Sequence, residues 1–206
     1  NARLYRKKVR EQYTKEQIDE FLHKVYKGKN EGRVWIHAHF GANDVEDLFS
    51  KLRYIIVGCN CKWVVVDHLQ MIVSSLENGD ERRAIDNIMT RLRSLVEETG
   101  AGLILVSHLR KIDGNRGHEN GIEVNLSHLR GSNSIAQISD CVVALERNQQ
   151  SDDPIESNTT HLRILKSRYT GDVGMATHLI YDNDTGRLSE VQDYQDLANS
   201  DDGDII

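Results

Sequence analysis

Three cysteines are too few, and too oddly placed, for a disulfide framework. Cys59 and Cys61 form a C-x-C ahead of an apolar run, Cys141 stands alone, and no paired-ligand spacing for a metal is present. They read as reduced thiols of a cytoplasmic protein. No apolar run approaches the ~20 residues of a membrane span and no secretory signal pattern opens the chain, so no membrane partner is expected. Positive charge is not in excess either. Lys and Arg number 26 against 32 Asp and Glu, a formal charge of −6 that argues against a non-specific coat for nucleic acid but allows local basic loops. Internal repeats are lacking. So is the signature G-x-x-x-x-G-K-[ST], whose backbone amides and lysine cradle a triphosphate. The nearest stretch, Gly28-Lys29-Asn30, has His23 where the first glycine belongs and Asn30 where a hydroxyl would ligate Mg²⁺.

What is there suits one α/β domain: 206 residues, 38% of them hydrophobic, enough for a real core. Thr14, with Gln17 three residues on, makes a capping box for a helix carrying Ile18, Phe21, Leu22 and Val25 and stopped at Gly28. Val34–Phe40 alternates like a strand, and apolar positions from Val45 to Ile56 recur at helical spacing. Trp63–Val66, Leu103–Val106 and Cys141–Leu145 are apolar runs expected to be strands buried on both faces. Between the first two, Asp80 opens and Gly100 closes a helix. A short helix is predicted over Ser132–Ile138, a fourth strand over Leu162–Lys166, and a hairpin from Thr177–Asp182 and Arg187–Val191. Gln149–Thr160, which holds the only proline, Pro154, reads as a linker. The fold class that follows is α/β, a mainly parallel sheet flanked by helices with a C-terminal antiparallel hairpin. Asn1 and the basic, helix-like residues after it suggest a cut or processed chain. Residues 192–206, with Asp193, Asp196, Asp201, Asp202 and Asp204 among small polar residues, are expected to be a flexible acidic tail.

Ligands of open parallel sheets bind at the carboxyl ends of the strands. The first apolar run ends on Asp67, a carboxylate able to hold Mg²⁺ against phosphates, although a strand-capping aspartate is a common plain alternative. The second ends Val106-Ser107-His108, where an imidazole could hydrogen-bond a γ-phosphate. Gln137 sits on the short helix before the third strand, and Lys166 and Arg168, two apart on the fourth, point the same way. Taken singly, each of these is as well read as a solvated or backbone-satisfied residue.

Taken in order, they carry a resemblance. Val65–His68, Leu105–Lys111, Leu129–Asp140 with Ala144–Gln150, and Arg163–Gly174 resemble consecutive motifs of the hexameric replicative helicases with a RecA-type core. Leu129-Arg130-Gly131-Ser132, Glu146-Arg147-Asn148-Gln149-Gln150 and the run from Arg163 to Asp172 are the most specific parts. The likeness is strongest to the helicase half of bacteriophage primase–helicases, and looser to the DnaB group and the mitochondrial relative. It covers about Trp63 to Val191.

The resemblance implies a P-loop NTPase core lacking its N-terminal part over residues 1–191, with the phosphate loop and catalytic glutamate outside this sequence. Asp67 would be the Walker B aspartate at Mg²⁺, His108 a phosphate sensor, and Gln137 a link from the γ-phosphate to the DNA loops. Arg168, with Lys166 beside it, would be a finger reaching a neighbouring subunit's site, and Arg147 and Tyr181 would hold the base of ATP or dTTP. Candidate DNA contacts are Arg110, Lys111, Arg116, Arg130, Gly131, Ser132 and Asn133. The expected partners are single-stranded DNA, identical subunits in a hexamer or heptamer, and a DNA polymerase or loading factor at the acidic tail. The cell would be a bacterium, phage-infected or not. Ala136 stands where relatives often have a basic residue. A recombinase or circadian-clock-type ATPase, and a non-catalytic DNA-binding or assembly remnant, are the alternatives. The 206 residues alone are expected to be inactive.

Overall fold

The computed structural model describes residues 11–27, 34–37, 45–74, 80–112, 117–131 and 133–191. The chain divides into two compact units, Lys15–Arg110 with Leu129–Ile138, and Asn1–Thr14 with Lys111–His128 and Ser139–Ile206.

The first unit holds helices α1 (Lys15–Lys27), α2 (Val45–Arg53), α3 (Leu69–Ser74), α4 (Glu81–Thr99) and α5 (Ser134–Ile138), with strands β1 (Trp63–Val66) and β2 (Gly102–Leu105). In α2 the residues Val45, Phe49 and Leu52 fall on one face and are buried. Glu46 and Asp47 in its first turn and Lys51 and Arg53 in its last suit the helix dipole. The helix runs on into a π-helical turn, Tyr54–Gly58, that buries Ile56. Helix α4 begins where Asp80 accepts the Arg82 N–H at 3.0 Å and ends where Gly100, at φ +68°, donates its N–H to the Val96 carbonyl. Between those caps Ile85, Ile88, Met89, Leu92 and Leu95 face inward and meet Leu69, Ile72 and Val73 of α3.

Strands β1 and β2 pair in parallel, Trp63 opposite Gly102 and Val66 opposite Leu105. Val64, Val66, Leu103 and Leu105 pack on the helical core. Their neighbours do not: Trp63 is 69% exposed, Val65 62% and Ile104 51%. Burial on both faces, expected from the apolar runs, is therefore corrected to burial on one. The described helical core lies against one face of the strands, and an apolar run cannot reveal which of its two faces is covered. The strand expected at Val34–Phe40 is corrected too. Residues 34–37 have no regular structure, and 38–40 lie outside the described residues.

The second unit is a four-stranded antiparallel sheet, β3 (Cys141–Glu146), β4 (Thr159–Ser167), β5 (Gly174–Tyr181) and β6 (Leu188–Val191), in that spatial order. Each strand lies beside its predecessor, through connections at 147–158, 168–173 and 182–187, so antiparallel pairing extends well beyond the C-terminal hairpin. In β3 the residues Val142, Ala144 and Glu146 are buried and Cys141, Val143 and Leu145 exposed, a third one-faced strand where two-faced burial was expected. The linker read at Gln149–Thr160 contains helix α6 (Pro154–Asn158). Asp153 caps it by accepting the Ile155 N–H at 2.9 Å, and Pro154 occupies its first turn, where a missing N–H costs nothing. Between β5 and β6, Asp182 accepts the N–H groups of Asp184 at 2.7 Å and Thr185 at 3.2 Å, closing the turn. One buried carboxylate organises this unit: Glu146 accepts the Val124 N–H at 2.8 Å and Arg163 Nε at 3.0 Å, and Arg163 also meets Glu123 at 3.2 Å. No described helix is long and apolar enough to cross a membrane. Residues 192–206, the expected acidic tail, lie outside the described residues.

Candidate functional site

In the first unit the chemistry gathers where β1 and β2 end together. The Val106 N–H donates to the Val66 carbonyl at 2.9 Å, and the Leu69 N–H donates to the Val106 carbonyl at 2.9 Å. These two bonds hold the strand tips level. Asp67 is exposed at the first tip and His108 at the second. The His68 ring lies 3.9 Å from the His108 ring, tilted by 33°. His68 Nδ1 is buried and has no hydrogen-bond partner among the described residues. Beneath the tips, Gln70 accepts the His108 N–H at 3.2 Å and donates to Ser107 Oγ at 3.3 Å.

From His108 the structure leads to the basic loop. The Arg130 N–H donates to the His108 carbonyl at 3.0 Å, and Leu109 and Leu129 form an antiparallel bridge beside it. The Arg130 guanidinium is 3.5 Å from Glu81, with both side chains about half exposed. Gly131 has φ +109° and sits directly on the Ile85 side chain, where a Cβ would overlap Ile85 Cδ1. Only glycine suits that conformation at that distance. Asn133 and Gln137 are exposed, and the Gln137 N–H donates to the Asn133 carbonyl at 3.0 Å. Arg110 and Lys111 are exposed on the segment after His108, whereas Arg116 and Ser132 lie outside the described residues.

In the second unit Lys166 and Arg168 reach the same turn. Lys166 Nζ donates to the Ser139 carbonyl at 2.8 Å, and Arg168 Nη1 pairs with Asp140 at 2.9 Å, with the side chains 46% and 28% exposed. A pair so open to water is weak and exchangeable. Arg147 is held by the Ser157 carbonyl at 2.6 Å and Asn158 Oδ1 at 3.2 Å, and its guanidinium carbon is 5.8 Å from the Tyr181 ring centre. That is cation–π range.

The residues at the strand tips fit one side of a metal–triphosphate site. Asp67 offers an open carboxylate, and the unpartnered His68 nitrogen lies one residue on. The other side, the glycine-rich cradle with its lysine, is not built by any residue of this sequence. Gln70 lies outside every motif stretch of the sequence, and Asp140, at the end of the Leu129–Asp140 stretch, has no role there that its position alone would name.

A family model for the DnaB-like helicase C terminal domain matches residues 1–190. The chain belongs to that family. It is 39% identical over 153 residues to the DNA helicase/primase of Enterobacteria phage T3, a match covering 74% of this chain and 26% of that protein. The chain thus spans about a quarter of the phage relative's length. Among solved structures, one ATPase domain superposes with a TM-score of 0.69 at 23% identity, covering 93% of this chain and 66% of that one. A DnaB-like replicative helicase, solved for its interactions with primase, gives 0.65 at 19% identity, covering 93% and 45%. The fold is therefore that of the RecA-like helicase ATPase domains, and the recombinase or clock-ATPase reading is not favoured.

Proposed function

We propose that this DnaB-like chain is the C-terminal part of a ring-forming, ATP-dependent replicative helicase that moves 5′ to 3′ on single-stranded DNA. The observation that carries the reading is the joined pair of strand tips. They join the ends of β1 and β2, with the His68 ring 3.9 Å from the His108 ring, and the His108 carbonyl accepts the Arg130 N–H. This supports reading the segment after β1 as nucleotide-facing and connected to a DNA-facing loop.

Bound ATP or dTTP, with Mg²⁺, supplies the free energy of hydrolysis. On this reading Asp67 holds the metal side, His108 and Gln137 register the terminal phosphate, and Arg147 with Tyr181 holds the base. Lys166 and Arg168 leave the Ser139–Asp140 turn to meet phosphate oxygens of the adjacent subunit in a homo-hexamer or heptamer. Arg110, Lys111, Arg116 and Arg130–Asn133 grip the DNA phosphates without reading bases. The acidic tail engages a polymerase or loading factor, and the protein works in the bacterial cytoplasm.

The test is hydrolysis of ATP with single-stranded DNA, by this chain alone and by the chain fused behind the phosphate-loop segment of a DnaB-like helicase. The chain alone should be inactive and the fusion active. Mixing Arg168→Ala subunits into fusion rings should suppress turnover more than in proportion, since each finger serves a neighbour's site and is worth on the order of 10³-fold or more. Hydrolysis by the chain alone, or an inactive fusion that still forms rings, refutes the proposal.

A further inference from the structure

Gln70 is a polar residue in an otherwise apolar stretch, Leu69–Val73 with Met71 exposed, and it is only 8% exposed itself. Its side-chain amide spends both ends on the segment that follows β2: the carbonyl oxygen takes the His108 N–H and the amide nitrogen reaches Ser107 Oγ. An uncharged amide of this length is the one side chain that accepts and donates at once here. Glutamate at neutral pH would only accept, and leucine or methionine would do neither. The bonded residue, His108, uses its own carbonyl to take the Arg130 N–H. Hydrogen bonds on either side of the His108 Cα therefore connect the segment after Asp67, through Gln70 and the His108 backbone, to the loop at Arg130–Gly131. The His68 ring, packed on the His108 ring, steadies the same residue from its side-chain face.

We propose that Gln70 is a positioning residue that locks the His108 backbone to the tip of β1 and, through the His108 carbonyl, sets the Arg130–Gly131 loop. The placement rests on geometry alone. Calling its consequence a coupling of nucleotide to DNA rests on the function proposed above. Gln70 touches neither ligand. It makes the two strand tips and the loop move as one body, so a shift at Asp67 or His108 reaches the loop without a flexible joint.

The experiment is residue-resolved amide hydrogen exchange on the 206-residue chain carrying Gln70→Met or Gln70→Glu, alongside the parent. Methionine keeps the volume and removes both bonds, so the His108 and Arg130 amides should exchange on the order of fivefold faster. Amides in the middle of α4 should stay at their parent rates. Glutamate restores an acceptor for the His108 N–H and should return both amides toward the parent rate, a rescue that mere loss of packing cannot give. Unchanged exchange at His108, acceleration at His108 with Arg130 unmoved, or equal acceleration throughout α4 would each overturn the proposal. Anisotropy with labelled oligo(dT) separates the two readings. An exchange response in a chain that never binds oligo(dT) keeps the positioning role and removes the DNA-grip assignment.

Discussion

Replacing Gly131 by alanine should destabilise the first unit by an amount that two nearby comparisons can dissect. The residue has φ +109°, outside the ordinary range of a side-chain-bearing residue, which costs about 1–3 kcal/mol. The added Cβ would also overlap Ile85 Cδ1 and lie 3.6 Å from Ile85 Cγ1. Ile85 is 0% exposed, at the centre of the α4 core, so it has no empty space to retreat into. Forcing a methyl into such a site adds about 1–3 kcal/mol. The sum, about 2–6 kcal/mol, is a large part of the ~5–15 kcal/mol that holds a domain folded.

Gly100 supplies the control. It too has positive φ, +68°, but a Cβ there meets nothing within 4 Å. Gly100→Ala should therefore show the strain alone, about 1–2 kcal/mol. Ile85→Val supplies the converse, because it deletes the atom that the new Cβ strikes. In the parent it should cost about 0.5–1.5 kcal/mol, and in Gly131→Ala it should be neutral or stabilising. Urea unfolding of the four combinations, read at constant m, gives the coupling directly. If Gly131→Ala matches Gly100→Ala, or if Ile85→Val costs the same in both backgrounds, the steric argument is wrong.

Two further outcomes follow from the second unit. Glu146→Ala strips the acceptor from the Val124 N–H and leaves Arg163, whose side chain is 19% exposed, to its pair with the exposed Glu123, so urea unfolding should show a loss of about 2–4 kcal/mol. Glu146→Gln keeps an acceptor and should lose about 1–3 kcal/mol. Burial, with the neighbouring His178 next in weight, holds the His161 imidazole below the ordinary histidine value of 6.5, against an opposing pull from Glu146 and Glu156. The unfolded chain thus binds more protons there than the folded one once the pH drops below about 6.5, so stability falls with acid through that window and is fully present above it. The urea midpoint should be lower at about pH 5.5 than at about pH 7.5, and His161→Asn should shrink the difference. An equal difference in the variant would assign it to other groups.

How far the sequence reaches differs between the fold and the site, for physical reasons. Helix α4 is legible end to end, since Asp80, Gly100 and the spacing of its apolar residues state the same boundaries. Strand β1 falls where its apolar run lies, yet its one-sided burial is not legible there, because Trp63 and Val65 are as apolar as Val64 and Val66 and only the position of the helical core separates them. Helix α6 was hidden by polarity, although Asp153-Pro154 is a helix start once capping is weighed above hydrophobicity. The resemblance pointed to residues at strand ends, and parallel strands bring their carboxyl ends to one edge by topology. It could not single out what binds those ends to each other. Gln70 and its partner His108 are 38 residues apart, and Arg168 and Asp140 are 28 apart. No local pattern encodes such pairings, and a glutamine in the first turn of a short helix looks like any solvated helix residue until its two partners are seen. On the proposed function, motif order names the groups that face nucleotide and DNA, while the mechanical link between them depends on a residue that touches neither. Substitutions such as Gln70→Met, which leave every motif intact, are therefore the ones that separate a motor with connected parts from one that merely contains them.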